Sequence, residues 1–177
     1  TLLYNDPLER FMDLHLVRET VSTEYAKRAE KLFSLKENPR FGYAYETLGW
    51  LCSVLSLKSD LGLRLREAYK AGDKAALKKA ADDDIPKIID YLEKFISAYR
   101  RQWYHENKTF GFIAQEIRLG GLTERMRSVK MRLDDYAEGR TDRIEELETE
   151  PLPYSPDKVG NYHPHIGWRN ILTAGQL

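Results

Sequence analysis

The sequence holds one cysteine, Cys52, in 177 residues, so no internal disulfide can staple it and packing must hold its core. The apolar neighbours of Cys52 predict a buried thiol, which fits a reducing compartment, and a cytoplasmic location is expected. Neither charge sign is in excess. Lys plus Arg and Asp plus Glu balance at 28 each, which argues against a dedicated nucleic-acid binder needing a basic surplus. No apolar run approaches the roughly 20 residues needed to span a bilayer, and the longest, 48–57, is broken by Gly49 and Ser53. No basic stretch followed by an apolar one marks a leader, although the chain opens on Thr1 rather than Met and a longer parent is expected.

Motifs for chemistry are scarce as well. No histidine has a glutamate three residues before it, which excludes the helical di-iron pattern. His105-Glu106 opens like a zinc-protease motif, but Thr109 stands where the second histidine belongs. Pro164 separates His163 from His165 in an extended segment with no acidic partner nearby, so a tail contact is expected there and no metal site. Gly120-Gly121 follows no strand and lacks the phosphate-loop lysine, and Cys52 has no histidine close in sequence to activate it. No cofactor and no catalytic residue is therefore expected in this chain. Its abundant carboxylates have ordinary structural explanations, and none is marked as one of a pair straddling a scissile bond.

What remains is helical periodicity. A first helix is predicted from about Glu9 to Lys36, with Phe11, Leu14, Val17, Val21, Tyr25 and Leu32 at spacings of three or four. Asp6-Pro7 supplies its cap and first-turn proline, and Asn38-Pro39 ends it. A second, from about Tyr43 to Lys70, carries Leu48, Leu51, Cys52, Leu55, Leu61 and Leu65 on more than one face, placing it centrally. Gly72 stops it, and Asp73 caps a short helix through Ala81.

The clearest stripe is Ile85, Ile88, Ile89, Leu92, Phe95, Ile96, Tyr99 and Trp103. Asp82, Asp83 and Asp84 stand where a helix N-terminus favours negative charge, and Pro86 sits in the first turn. A fourth long helix, from about Phe112 to Glu138, turns Leu122, Met126, Val129, Leu133 and Tyr136 inward and stops at Gly139. A shorter one spans roughly Thr141 to Glu148. Residues 151–177, rich in Pro, Gly and Asn, form an irregular tail expected to pack on the rest. The predicted fold is all-α: one domain over residues 1–177, an antiparallel bundle of about five helices.

The run from Trp103 to Met126 departs from this plain pattern. It sets an aromatic cluster before a glycine turn and places Gly120-Gly121 inside a helix, where each glycine costs roughly 1 kcal/mol relative to Ala. A close backbone approach at that pair is the natural expectation, resisting any added β-carbon. Trp103, Tyr104 and Lys108 at the turn, Arg118 beside the glycines, and Trp168 in the tail join Gly120 and Gly121 as candidate contact residues. Each also has an ordinary reading: Trp103 continues a core stripe, and Arg118 could pair with Glu116 or a tail carbonyl.

Three segments carry a resemblance. Leu2 to Pro7, L-L-Y-N-D-P; Lys108 to Leu122, K-T-F-G-F-I-A-Q-E-I-R-L-G-G-L; and Trp168 to Thr173, W-R-N-I-L-T, resemble the C-terminal helical region of a bacterial branch of family-20 glycoside hydrolases. These are exo-acting β-N-acetylhexosaminidases, which remove terminal β-linked N-acetylglucosamine or N-acetylgalactosamine. Their catalytic Asp-Glu pair lies on a barrel: the Glu is general acid/base, and the Asp orients the substrate acetamido group that attacks the anomeric carbon. No Asp-Glu dipeptide occurs here, so those roles carry over to no residue of this chain. The resemblance implies a non-catalytic domain that packs on the barrel of the same polypeptide, helps a homodimer form, or presents a loop toward an active site. A free-standing helical interaction module is the alternative from the residues alone.

Overall fold

The computed structural model describes residues 2–10, 13 and 18–150. Within them the chain is helical and contains no strand: a 3-10 turn at Leu2–Tyr4, then α1 (Arg18–Phe33), α2 (Gly42–Lys58), α3 (Leu61–Lys70), α4 (Lys74–Lys79), α5 (Ile85–Glu106), α6 (Phe112–Ala137) and α7 (Glu145–Glu148). A π-helical turn, Ala80–Asp84, joins α4 to α5 without a break. The predicted all-α bundle is the fold observed.

Cross-helix pairs set the directions. Phe33 meets Trp50 edge-on at 4.7 Å while Ser22 lies beside Ser59, so α1 and α2 are antiparallel. Tyr43 Oη donates to Glu106 at 3.0 Å and Arg101 to Glu46 at 2.9 Å, so α2 and α5 are too. Arg100–Glu116 and Arg127–Glu93 pair α5 with α6 in the same antiparallel sense.

The core follows the α5 stripe. Ile85, Ile88, Leu92, Phe95 and Ala98 are buried against Leu119, Leu122, Met126, Val129 and Leu133 of α6, with Val54, Leu61, Leu65, Leu77, Ile144 and Leu147 closing the sides. Among the described residues no helix is long and apolar enough to cross a membrane.

The helical pattern breaks down at four places. The first helix does not begin at Glu9. Asp6 Oδ1 accepts the N–H groups of Leu8 and Glu9 at 2.9 and 3.1 Å, closing a turn, and Arg10 then takes a left-handed φ of 56° that a helix cannot propagate. Phe11, Leu14 and Val17 of the predicted stripe lie outside the described residues. The second predicted helix is two, broken at Ser59-Asp60. Arg64, one turn into α3, donates back to the Leu57 carbonyl at 3.0 Å and to Asp60 at 3.1 Å, satisfying groups that the break exposes. Leu48, predicted to be core, is 46% exposed, and Cys52 is half-buried, its thiol pushed up by burial against the opposing Arg28 charge.

The three aspartates do not cap α5, because the π turn runs straight into it and leaves no free helix N-terminus there. Pro86 has no N–H to give, and the backbone widens so that Ile85 N–H donates to Ala80 five residues back. Asp84 pairs instead with Arg64 at 2.5 Å, and Asp82 with Lys78 at 3.3 Å. Asp73 does cap α4, accepting from Ala76 N–H at 2.9 Å. Gly72 and Gly139 end their helices with φ of 67° and 77°.

Candidate functional site

The turn between α5 and α6 gathers three of the residues singled out from sequence. Trp103 is half-buried, and its indole N–H donates to the Lys108 carbonyl at 3.0 Å, bridging the turn. Its ring lies 5.7 Å from buried Phe112, and Tyr104 approaches Phe112 from another side at 5.8 Å. Gly111 has φ of 98°, and a β-carbon there would touch Trp103 at 3.4 Å. An aromatic stack with such a fixed glycine makes this a stiff corner.

Arg118 is on the flank of α6, with its guanidinium 4.8 Å from the Tyr4 ring centre. Glu116 is taken by Arg100 instead. Gly120 overturns the close-approach expectation, because a β-carbon there meets nothing within 4 Å. The residue is exposed on the face of α6 turned away from the core, so its neighbours are solvent. Gly121, the next residue, is half-buried. Trp168 lies outside the described residues.

The more developed polar arrangement, one that helical periodicity does not reveal, holds the N-terminal segment. Asp6 is 8% exposed and receives Arg125 of α6 on both oxygens, Nε to Oδ2 at 2.6 Å and Nη2 to Oδ1 at 3.1 Å. Burial opposes its ionisation, but the Arg125 guanidinium and the Leu8 and Glu9 N–H groups outweigh that and hold its carboxyl below the usual range. Lys58, buried at the end of α2, donates to the Asn5 carbonyl, and burial pushes its ammonium down to about 8 against the opposing Asp6 and Asp13 charges. Asp13 accepts from Asn5 Nδ2 at 3.0 Å. Burial raises its carboxyl to about 6 despite that bond and the nearby Arg10, Lys58 and Arg66.

Arg10 completes the clamp. It is 1% exposed, donating from Nε to Leu8 O at 2.9 Å and from Nη2 to Glu146 O at 2.9 Å and Thr149 O at 2.5 Å. These carbonyls belong to α7 and the residue after it, so one guanidinium binds the first described residues to the last. Room for the segment comes from Gly62 of α3, where a β-carbon would stand 2.8 Å from Asp13 Oδ2, 3.0 Å from Arg10 Cγ and 3.1 Å from the Pro7 carbonyl. Asp6-Pro7 was legible in the sequence as a cap. The rest was hidden, because Lys58 and Arg125 are far along the chain from the residues they hold.

The clamp binds protein to protein. Asp6 is engaged by Arg125 and one Asp13 oxygen by Asn5, while Lys58 and Arg10 donate to carbonyls, an arrangement suited to fixing a segment of polypeptide. No curated protein matches the chain. Residues 1–166, spanning the clamp, the aromatic corner and the seven described helices, match the glycoside hydrolase 20C C-terminal domain. The chain belongs to that family of C-terminal domains.

Proposed function

We propose that this chain is the non-catalytic helical domain of an exo-β-N-acetylhexosaminidase, and that it supports the catalytic barrel lying before it in the same polypeptide. The clamp on residues 2–10 and 13 carries this reading. In a C-terminal domain the first residues are the ones arriving from the rest of the enzyme, and here they are locked by buried Asp6, Arg10 and Lys58 rather than left as a free linker. Domain boundaries ordinarily fall in exposed, contact-poor linkers. A buried, ion-paired entry segment instead fixes the direction in which the preceding chain leaves. The missing Asp-Glu pair fits a supporting role, and the single half-buried cysteine fits a cytoplasmic enzyme.

The test compares turnover of a chromogenic β-N-acetylglucosaminide by the full-length protein and by residues 1–177. Activity is expected only in the full-length protein. Within it, Asp6→Ala should lower the temperature at which that activity is lost. Sustained hydrolysis by the short chain, scaling with protein and surviving repurification, would overturn the assignment. So would a full-length protein indifferent to this sugar.

A further inference from the structure

We infer that the outward face of the first half of α6 is the surface on which the preceding domain of the same polypeptide docks; the inference rests on the reading of this chain as the C-terminal part of a larger enzyme. Phe110, Ile113 and Ile117 are 86%, 67% and 52% exposed and fall three and four residues apart. The spacing of Ile113 and Ile117 puts them on one side of the helix, opposite Leu119, Leu122 and Met126, which fill the core, while Phe110 stands in the turn just before it. Tyr104, half exposed at the end of α5, meets Phe112, the residue before Ile113. Single exposed apolar residues are ordinary, but two in register on a rigid helix with an exposed phenylalanine in the turn before them form a patch that calls for a partner.

The route of the N-terminal segment identifies that partner. Tyr4 sits on Arg118, the residue after Ile117, and Asp6 pairs with Arg125 two turns further along. The entering segment therefore lies against the flank of α6, its earlier residue beside Arg118 and its later one beside Arg125, so it runs from the stripe's end of the helix inward. A domain tethered there meets the patch at an effective concentration of order millimolar, with its approach direction already fixed by the clamp. A second copy has no such advantage, since it must give up its translational and rotational freedom to bind. The stiffness of the corner, from the Trp103–Lys108 bond and the Gly111 turn, means the patch needs no reordering on docking.

The experiment uses the full-length protein with Ile113→Lys and Ile117→Lys together, and Leu48→Lys on α2 as an exposed control. Scanning calorimetry reads the coupling of the domains, and light scattering reads the mass. In the paired variant a shared unfolding transition should split, or the catalytic transition should fall, while mass and far-ultraviolet dichroism stay unchanged and the control matches the starting protein. If the paired variant does not accumulate, Ile117→Ser is measured in the same way. A calorimetric profile like that of the control would overturn the inference. A halved mass would do so too, by showing that the face belongs to a second copy. A starting protein without hexosaminidase activity would count against the catalytic reading alone, because mass and calorimetry do not depend on it.

Discussion

Replacing Gly62 with alanine sets helix propensity directly against packing, and the structure fixes which one wins. Propensity favours alanine by up to ~1 kcal/mol in a helix interior, and by less in the first turn of α3, where Gly62 lies. Against this, the new methyl would stand 2.8 Å from Asp13 Oδ2 and 3.1 Å from the Pro7 carbonyl, both closer than non-bonded atoms rest. The Arg10 side chain at 3.0 Å cannot swing away without giving up its bonds to Glu146 and Thr149. Overpacking a filled site costs typically ~1–3 kcal/mol, so the expected net is a destabilisation of roughly 1–2 kcal/mol. Urea unfolding followed by dichroism measures it, with an unchanged slope showing that only stability moved. A coupling test locates the cause. Asp13→Ala removes the nearest clashing atom, so Gly62→Ala should cost less on that background than alone. If Gly62→Ala is as stable as the starting chain, or its cost is the same with and without Asp13, the close packing of the entry segment on α3 is refuted.

Gly120→Ala should have the opposite sign, stabilising by roughly 0.4–1 kcal/mol, because its β-carbon would project into open space on a helix; destabilisation in the same urea assay would reinstate a close neighbour. Leu92→Ala, at a fully buried position facing α6, should lose about 2–5 kcal/mol, and a change within error would place the α5 stripe outside the core. Arg125→Met should lose about 1.5–3 kcal/mol by leaving Asp6 buried and unpaired, and recovery in an Asp6→Asn, Arg125→Met double variant would show that the uncompensated charge was the cause. Asp13 has a carboxyl raised from 3.8 to about 6 in the folded protein, so the folded state binds its proton more tightly than the unfolded chain does. Its contribution is full below the unfolded value and is lost as pH rises through about 6; Asp13→Asn should flatten stability between those limits, and an unaltered pH profile would exclude it.

Helical order was legible in the sequence wherever a stripe was long and single-faced. The α5 residues from Ile85 to Phe95 and the α6 residues from Leu122 to Leu133 land in the core because burial follows the helical repeat directly. Periodicity misled where local polar chemistry decides the backbone. Leu61 and Leu65 keep the spacing of Leu51 and Leu55, so nothing apolar marks the break at Ser59-Asp60 that Arg64 stabilises from the far side. Gly120 and Gly121 look like a packing device, yet what surrounds a glycine depends on which neighbour the fold brings, and at Gly120 it brings none. The clamp depends on contacts between residues more than a hundred positions apart, such as Asp6 with Arg125, and no window of sequence spans them. The aromatic corner was readable as a cluster because Trp103, Tyr104 and Phe112 are close along the chain as well as in space.

That separation governs when the domain can close. Arg10 bonds to carbonyls 136 and 139 residues downstream, and Asp6 to a guanidinium 119 residues downstream. On a ribosome adding roughly 5–20 residues per second, the entry segment emerges many seconds before Glu146 and Thr149 exist to receive it. A domain made earlier therefore has time to fold on a loose tether. The entry segment itself is locked only when α7 arrives to fasten it.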